Sequence, residues 1–340
     1  MIKRLFLNTD KIGFFLIFSL LLILQRNCLL AENNETGKWV IQDTKGKPVA
    51  RHENSFVECD GKLYLIGGRG IKPVNIYNPE TKEWKEGKKT PIELHHFQAV
   101  AYKGEIYVAG AQTGGYPHEE PVKHIYIYHC EKDEWRKGAV IPEKRRRGAA
   151  GCAIYNDKLY LCCGIIDGHY DGHVKWFDEY DLVKKTWKQL PDAPRKRDHF
   201  QAVVINNKMY AASGRLSSKK TNQVFSLTVK EVDFYDFETG KWQSLPAEDN
   251  LPTLRAGASA VNFNEELFII GGESSQKTAH NNVEVFNPEK HKWMRYPSLN
   301  RGRHGTQAVV FDNKIFIVAG SGNRGGRPEL NSLEIYIPNE

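Results

Sequence analysis

The chain has 340 residues and a formal charge of +7, from 48 Lys and Arg against 41 Asp and Glu, with 40% apolar residues and a mean hydropathy of −0.54. That composition supplies enough apolar side chains for a large soluble fold. Lys3, Arg4, Lys11 and Arg26 against Asp10 put +3 of the charge in the first 31 residues, and the +4 that remains is too little to argue for nucleic acid.

The first element in chain order is a leader. Lys3, Arg4 and Lys11 precede a thirteen-residue apolar stretch from Ile12 to Leu24, and Leu29-Leu30-Ala31 follows as a cleavage site. A bilayer span needs roughly 20 such residues, so residues 1–31 read as a signal peptide for a secreted or periplasmic protein. An uncleaved leader that anchors the chain to a membrane is the alternative. Gln25-Arg26-Asn27 ahead of Cys28 lacks the small apolar residues of a lipidation site, and the one sequon is Asn34-Glu35-Thr36.

Residues 32–340 then repeat. A small-residue doublet closes an apolar strand six times, at Gly67-Gly68, Gly110-Ala111, Cys163-Gly164, Ser213-Gly214, Gly271-Gly272 and Ala319-Gly320. An aromatic pair spaced seven apart follows: Tyr77/Trp84, Tyr128/Trp135, Tyr180/Trp187, Tyr235/Trp242 and Phe286/Trp293. Tyr336 lacks its tryptophan, but Glu35-Thr36-Gly37-Lys38-Trp39 repeats Glu238-Thr239-Gly240-Lys241-Trp242. The N-terminal segment is therefore expected to supply the last strand of the final repeat, which closes a ring. Within the fifth repeat, residues 258–263 form a small-residue strand, 267–270 a continuous apolar strand, 283–286 an alternating strand, and 292–294 open an outer strand.

A period of about 50 residues with these two marks resembles the kelch repeat, over residues 37–338. The resemblance implies an all-β, six-bladed propeller of four-stranded antiparallel blades in a single domain. It implies little about function, since such propellers serve as adaptors, carbohydrate binders and enzymes. There is a distant likeness to the kelch sialic acid mutarotase, with which the chain shares blade count and leader, and to the galactose oxidase propeller, in fold only. Alternating strand direction puts the tight turns on one rim and the long loops after each doublet on the other, where binding is expected.

On that rim, five of six equivalent positions hold arginine: Arg51, Arg147, Arg197, Arg255 and Arg303, with Leu94 in the second repeat. They read either as structural ion pairs or as a cationic funnel for a carboxylate or phosphate. His52, His95 and His304 come one position later, with His96 and His199 one further. The first three could chelate copper or zinc, and protonation of the five toward pH 6 would strengthen the pull on an anion. The loop holding Asp167, His169, Tyr170, Asp171 and His173 could add a base, an imidazole and a sugar-stacking ring. Lys144-Arg145-Arg146-Arg147 and Arg195-Lys196-Arg197 read as solvated loops. Gly320-Ser321-Gly322-Asn323-Arg324-Gly325 has the form of a dinucleotide motif but lies between antiparallel strands, where it cannot open a helix. Cys59, Cys130, Cys152, Cys162 and Cys163 have no disulfide or zinc spacing and read as core residues.

These features point to a binding module taking an anionic or carbohydrate ligand, or an acidic peptide of a partner protein, at the axial mouth. The alternative is a sugar mutarotase or epimerase, or a metal-dependent enzyme, at the same mouth. No diffusible cofactor and no nucleic acid partner are expected, nor a membrane span once the leader is removed.

Overall fold

The computed structural model describes residues 36–339; the leader, its cleavage site and Asn34 lie outside them. Six four-stranded antiparallel sheets stand around one axis. Each of the first five is built in chain order from inner to outer strand. Blade 1, for example, runs Asn54–Cys59, Lys62–Gly67, Pro73–Asn78 and Glu83–Lys89. Blade 5 is Ser259–Phe263, Glu266–Ile270, Val283–Asn287 and Lys292–Tyr296, as the apolar patterning predicts. No described helix is long and apolar enough to cross a membrane.

Blade 6 closes the ring. Its strands are Ala308–Phe311, Lys314–Val318 and Leu333–Pro338, and the fourth is Gly37–Ile41 from the other end of the chain. Trp39 pairs opposite Tyr336 with ring centroids 5.5 Å apart. The five other aromatic pairs make the same cross-strand contact at 4.9–5.5 Å. The seven-residue spacing is therefore the length of one tight hairpin between the third and fourth strands.

First hairpins turn on Asp60-Gly61, Asn156-Asp157, Asn264-Glu265 and Asp312-Asn313, all with positive φ at both positions. Such turns match the right-handed strand twist and tolerate Asn and Asp best. The five described cysteines are buried and unbridged, as expected of small core residues.

The doublets and the arginines form one device. The first doublet residue takes positive φ in every blade, from 57° to 71°. Its carbonyl accepts a bond from the arginine 16 residues earlier: Arg51 to Gly67, Arg147 to Cys163, Arg197 to Ser213, Arg255 to Gly271 and Arg303 to Ala319, at 2.7–3.2 Å. The second glycine lies against that arginine's stem; a Cβ on Gly164 would sit 2.7 Å from Arg147 Cγ. The far end of each guanidinium reaches the third strand, at Asn75, Asp178, Asp233, Glu284 or Glu334. Those partners all stand two residues before the aromatic of the pair. Blade 2 has Leu94 for the arginine and Tyr126 at the partner position, and both join an apolar cluster. Where the charge is missing its counter-charge is missing too.

Candidate functional site at the axial mouth

The innermost contacts are made by backbone. Glu53, His96, Ala149, His199, Gly257 and Gly305 occupy equivalent places in the six blades, all with φ between 50° and 64°. Amide groups link them in a belt. His96 donates to the Glu53 carbonyl (3.1 Å), Ala149 to His96 (2.8 Å), His199 to Ala149 (3.0 Å), Gly257 to His199 (2.7 Å), Gly305 to Gly257 (2.9 Å), and Asn54 closes on Gly305 (3.2 Å). Left-handed backbone costs a Cβ-bearing residue energy, so its use at Glu53, His96 and His199 marks side chains held in place by their surroundings. Glycine at 305 leaves the room that the Glu53 carboxylate fills; a Cβ there would lie 2.7 Å from Oε1. Below the belt, Gln98, Gln201 and Gln307 donate across alternate blades to Ala202, Thr306 and Ala99.

Above the belt opens a cavity of about 990 Å³. Its floor includes Glu53, His96 and His169. Its walls carry Arg69, Arg215, Glu273 and His304, the aromatic faces of Tyr116 and Phe225, and the 323–329 loop with Arg327 and Glu329. Apart from His304, at the entry to an inner strand, the wall residues come from the loops after the doublets, on the rim where binding was expected. Three arginines face three glutamates there, so the mouth is charge-balanced rather than cationic.

The five repeat arginines do not line this cavity. Each is at most 1% exposed and bonds within its own blade; Arg147, Arg197, Arg255 and Arg303 realise the ion pair of the two readings, while Arg51 bonds Asn75. Asn75 is neutral, and burial lowers the Arg51 guanidinium to about 10. The basic runs are likewise drawn inward. Arg145 and Arg147 share Asp178, and Arg195 and Arg197 share Asp233.

The histidines sort differently from their order in the repeat. His52, His95 and His304 do not converge. His52 meets Glu329 at 2.7 Å, His95 donates to the Gly114 carbonyl, and His304 donates to the carbonyls of Asn323 and Gly325. The group that converges is His96, His169 and His199, whose nitrogen atoms lie within 4.8 Å of one another. His169 comes from the Gly-rich loop of blade 3. Its other residues scatter: Asp167 faces His118, Tyr170 stacks on His118, Asp171 pairs with Lys220, and His173 bonds Asp198.

Carboxylates buried behind the imidazoles hold them. Glu119 accepts from His169 Nδ1 (2.9 Å) and from the His169 amide (3.0 Å), and also pairs with Arg69. Asp198 pairs with His199 Nδ1 and accepts from the amide and hydroxyl of Ser217. Burial would raise both acids, but His169 and Arg69 hold Glu119 low, and His199, His173 and Arg215 hold Asp198 low. Glu273 is held at about 2 against its own burial by His304, Arg215 and the Gly325 amide. Burial lowers His95 to about 4, and lowers His96 and His199 as well. These shifts run against the expected gain of charge on the three imidazoles as pH falls toward 6.

Sequence reasoning did not single out Glu53, Arg69, Tyr116, Glu119, Asp198, Arg215, Phe225 or Glu273. Glu53 shares the register of His96 and His199, which is a readable signal. Arg69, Arg215 and Glu273 each follow a doublet, and Asp198 stands at the position of His52, His95 and His304, so these too carry a register signal. Tyr116, Glu119 and Phe225 sit in loops of unequal length, where no repeat position applies. The 320–325 segment is a loop whose carbonyls serve His304, which agrees with its rejection as a dinucleotide motif.

Against known families, the Attractin/LZTR1 β-propeller matches residues 24–279. Kelch-like protein terF of Aspergillus terreus is 25% identical over 323 residues, covering 88% of this chain and 69% of that protein. Kelch-like protein 23 of Homo sapiens is 25% identical over 322 residues, and the chain spans about half its length, 52%, with 93% of this chain covered. Alpha-scruin of Limulus polyphemus is 28% identical over 253 residues, covering 69% of this chain and 26% of that protein. The solved structure of YjhT superposes with a TM-score of 0.72 at 16% identity, covering 85% of this chain and 95% of that one, a likeness of fold.

Proposed function

We propose that this chain, which belongs to the Attractin/LZTR1 β-propeller family among the kelch-repeat propellers, is an exported binding module whose axial cavity takes a carbohydrate, acidic sugars included. One observation carries the reading. A cavity of about 990 Å³ is lined by side chains of both charges together with the faces of Tyr116 and Phe225. Ionised donors and acceptors in fixed positions match the hydroxyls of a sugar, and an aromatic face covers its apolar side. Arg69, Arg215 and Arg327 supply planar donors for a sugar carboxylate. An acidic peptide end would meet the same donors, but it brings its charge against Glu53, Glu273 and Glu329. Export rests on the leader in residues 1–31.

The test is a screen of neutral and acidic glycans, followed by titration of the best ligand against Tyr116→Ala and Arg327→Ala. Each substitution is expected to weaken binding about tenfold, the equivalent of about 1.4 kcal/mol. Lys82→Ala and Lys290→Ala on the opposite rim serve as controls and leave affinity unchanged. Binding weakened only by the control pair would mean the wrong rim has been chosen.

A second reading, sugar mutarotation or epimerisation at the same mouth, is favoured by the facing imidazoles of His169 and His199 (Nε2 to Nε2, 3.1 Å). Each has a carboxylate behind it, the arrangement that orients a general base. Interconversion of sugar anomers followed by NMR, with and without the protein, distinguishes catalysis from binding.

A further inference from the structure

The hydrogen bonds around the axial belt settle the tautomers of three histidines. His169 and His199 each direct Nδ1 at a buried carboxylate, Glu119 and Asp198, so both carry the proton on Nδ1 and leave Nε2 bare. His95 donates from Nε2 to the Gly114 carbonyl at 3.1 Å, which leaves its Nδ1 as an acceptor. His96 Nδ1 lies 2.6 Å from that atom and so donates to it, leaving His96 Nε2 bare as well. The three imidazoles thus share one tautomer.

The bare nitrogens face acceptors. His169 Nε2 and His199 Nε2 stand 3.1 Å apart, and His96 Nε2 stands 3.4 Å from Glu53 Oε2. The rings of His96, His169 and His199 pack at centroid distances of 4.7–5.0 Å, and all three are buried. Lone pairs turned on one another, with a carboxylate beside them, repel unless a proton or a metal cation stands among them. A cavity of about 40 Å³ adjoins Glu53, His96 and His199 at the belt, lined also by Phe97, Gln201 and Thr306.

We propose that His96, His169 and His199, with Glu53 beside them, bind a late first-row divalent cation, zinc foremost. Three imidazole nitrogens are borderline ligands that suit zinc and copper, with a carboxylate as a fourth ligand zinc also accepts, whereas calcium and magnesium take all-oxygen sites. Glu119, Asp198 and His95 are the outer partners that fix ring orientation, as metal-binding histidines generally require. The ion would sit at the floor of the open cavity, within reach of a bound ligand. The inference stands on the imidazole geometry and does not depend on the carbohydrate reading.

The test uses untagged protein stripped with a chelator and titrated calorimetrically with Zn²⁺. One ion per chain is expected, with a rise in melting temperature. His169→Gln and His199→Gln should abolish this binding, Glu119→Gln should weaken it about 10–100-fold, and His52→Gln should leave it unchanged. Co²⁺ in place of zinc should give the visible absorption of a tetrahedral nitrogen and oxygen site. Absence of stoichiometric binding, or binding that survives both His169→Gln and His199→Gln, overturns the proposal. If those two variants do not fold by circular dichroism, the Glu119→Gln titration and the Co²⁺ spectrum of the unaltered protein decide it. Unweakened Glu119→Gln or a featureless spectrum counts against the site.

Discussion

Arg255→Leu is expected to destabilise the propeller without any direct effect on the mouth. Arg255 is fully buried and donates to the Gly271 carbonyl (2.7 Å), the Thr253 carbonyl (2.6 Å), the Ile269 carbonyl (2.9 Å) and Glu284 Oε2 (2.6 Å). Leucine leaves the Glu284 carboxylate buried without its counter-charge, and breaking such a pair on one side costs about 3–5 kcal/mol. In a domain of this size that is a fall of about 5–8 °C in melting temperature. Blade 2 supplies the compensating change, since Leu94 and Tyr126 hold the equivalent places and pack together. The double variant Arg255→Leu with Glu284→Tyr should therefore recover much of the loss. The assay is thermal and urea unfolding of the two single variants and the double. An Arg255→Leu variant as stable as the parent but impaired in ligand binding would refute the structural role and restore the cationic funnel.

Trp39→Ala should cost about 3–5 kcal/mol, read as a lower urea midpoint, because it removes a buried aromatic from the blade that joins the two ends of the chain; an unchanged midpoint would mean that this strand does not close the ring. Burial would raise Glu284, but Arg255 and Thr253 hold it below the usual carboxylate range. Its contribution to stability is therefore complete above the unfolded value of about 4.3 and is lost as pH falls through the lower folded value. The stability gap between the parent and Glu284→Gln should accordingly close on acidification from pH 6 to pH 3, and a gap constant over that range would contradict the assignment. If residues 1–31 are a signal peptide, intact mass of the natively expressed protein should show a chain beginning at Glu32. Met1 retained in a membrane fraction would favour the anchor instead.

The fold was legible because every blade repeats the same solution to the same packing problem. Doublets, aromatic pairs and tight turns recur in register, and the duplicated pentapeptide ending in Trp39 locates the closure. The arginine staple was half legible. The arginines stand out by period, but their partners lie 24–36 residues away in sequence and vary between Asn, Asp and Glu. The decisive clue was the second repeat, where Leu94 and Tyr126 replace both members at once. The site was less legible for a physical reason. Binding loops differ in length from blade to blade, so His169 and Glu119 meet across 50 residues that no period relates, whereas Arg215 and Glu273 stand at the same place after their doublets, one repeat apart, and only their differing side chains conceal the pair. The repeat gives the histidine positions in register, but which of them converge is set by backbone conformation. His96 and His199 sit at the left-handed positions of the belt, while His52, His95 and His304 precede it and turn to the loops.

The central claim is that function resides in the axial cavity on the long-loop rim. It is tested most directly by titrating one glycan, chosen from the screen, against Tyr116→Ala and Lys290→Ala under the same conditions. The account predicts about tenfold weaker binding for Tyr116→Ala and parental affinity for Lys290→Ala. Parental affinity for Tyr116→Ala together with weakened binding by Lys290→Ala would contradict it.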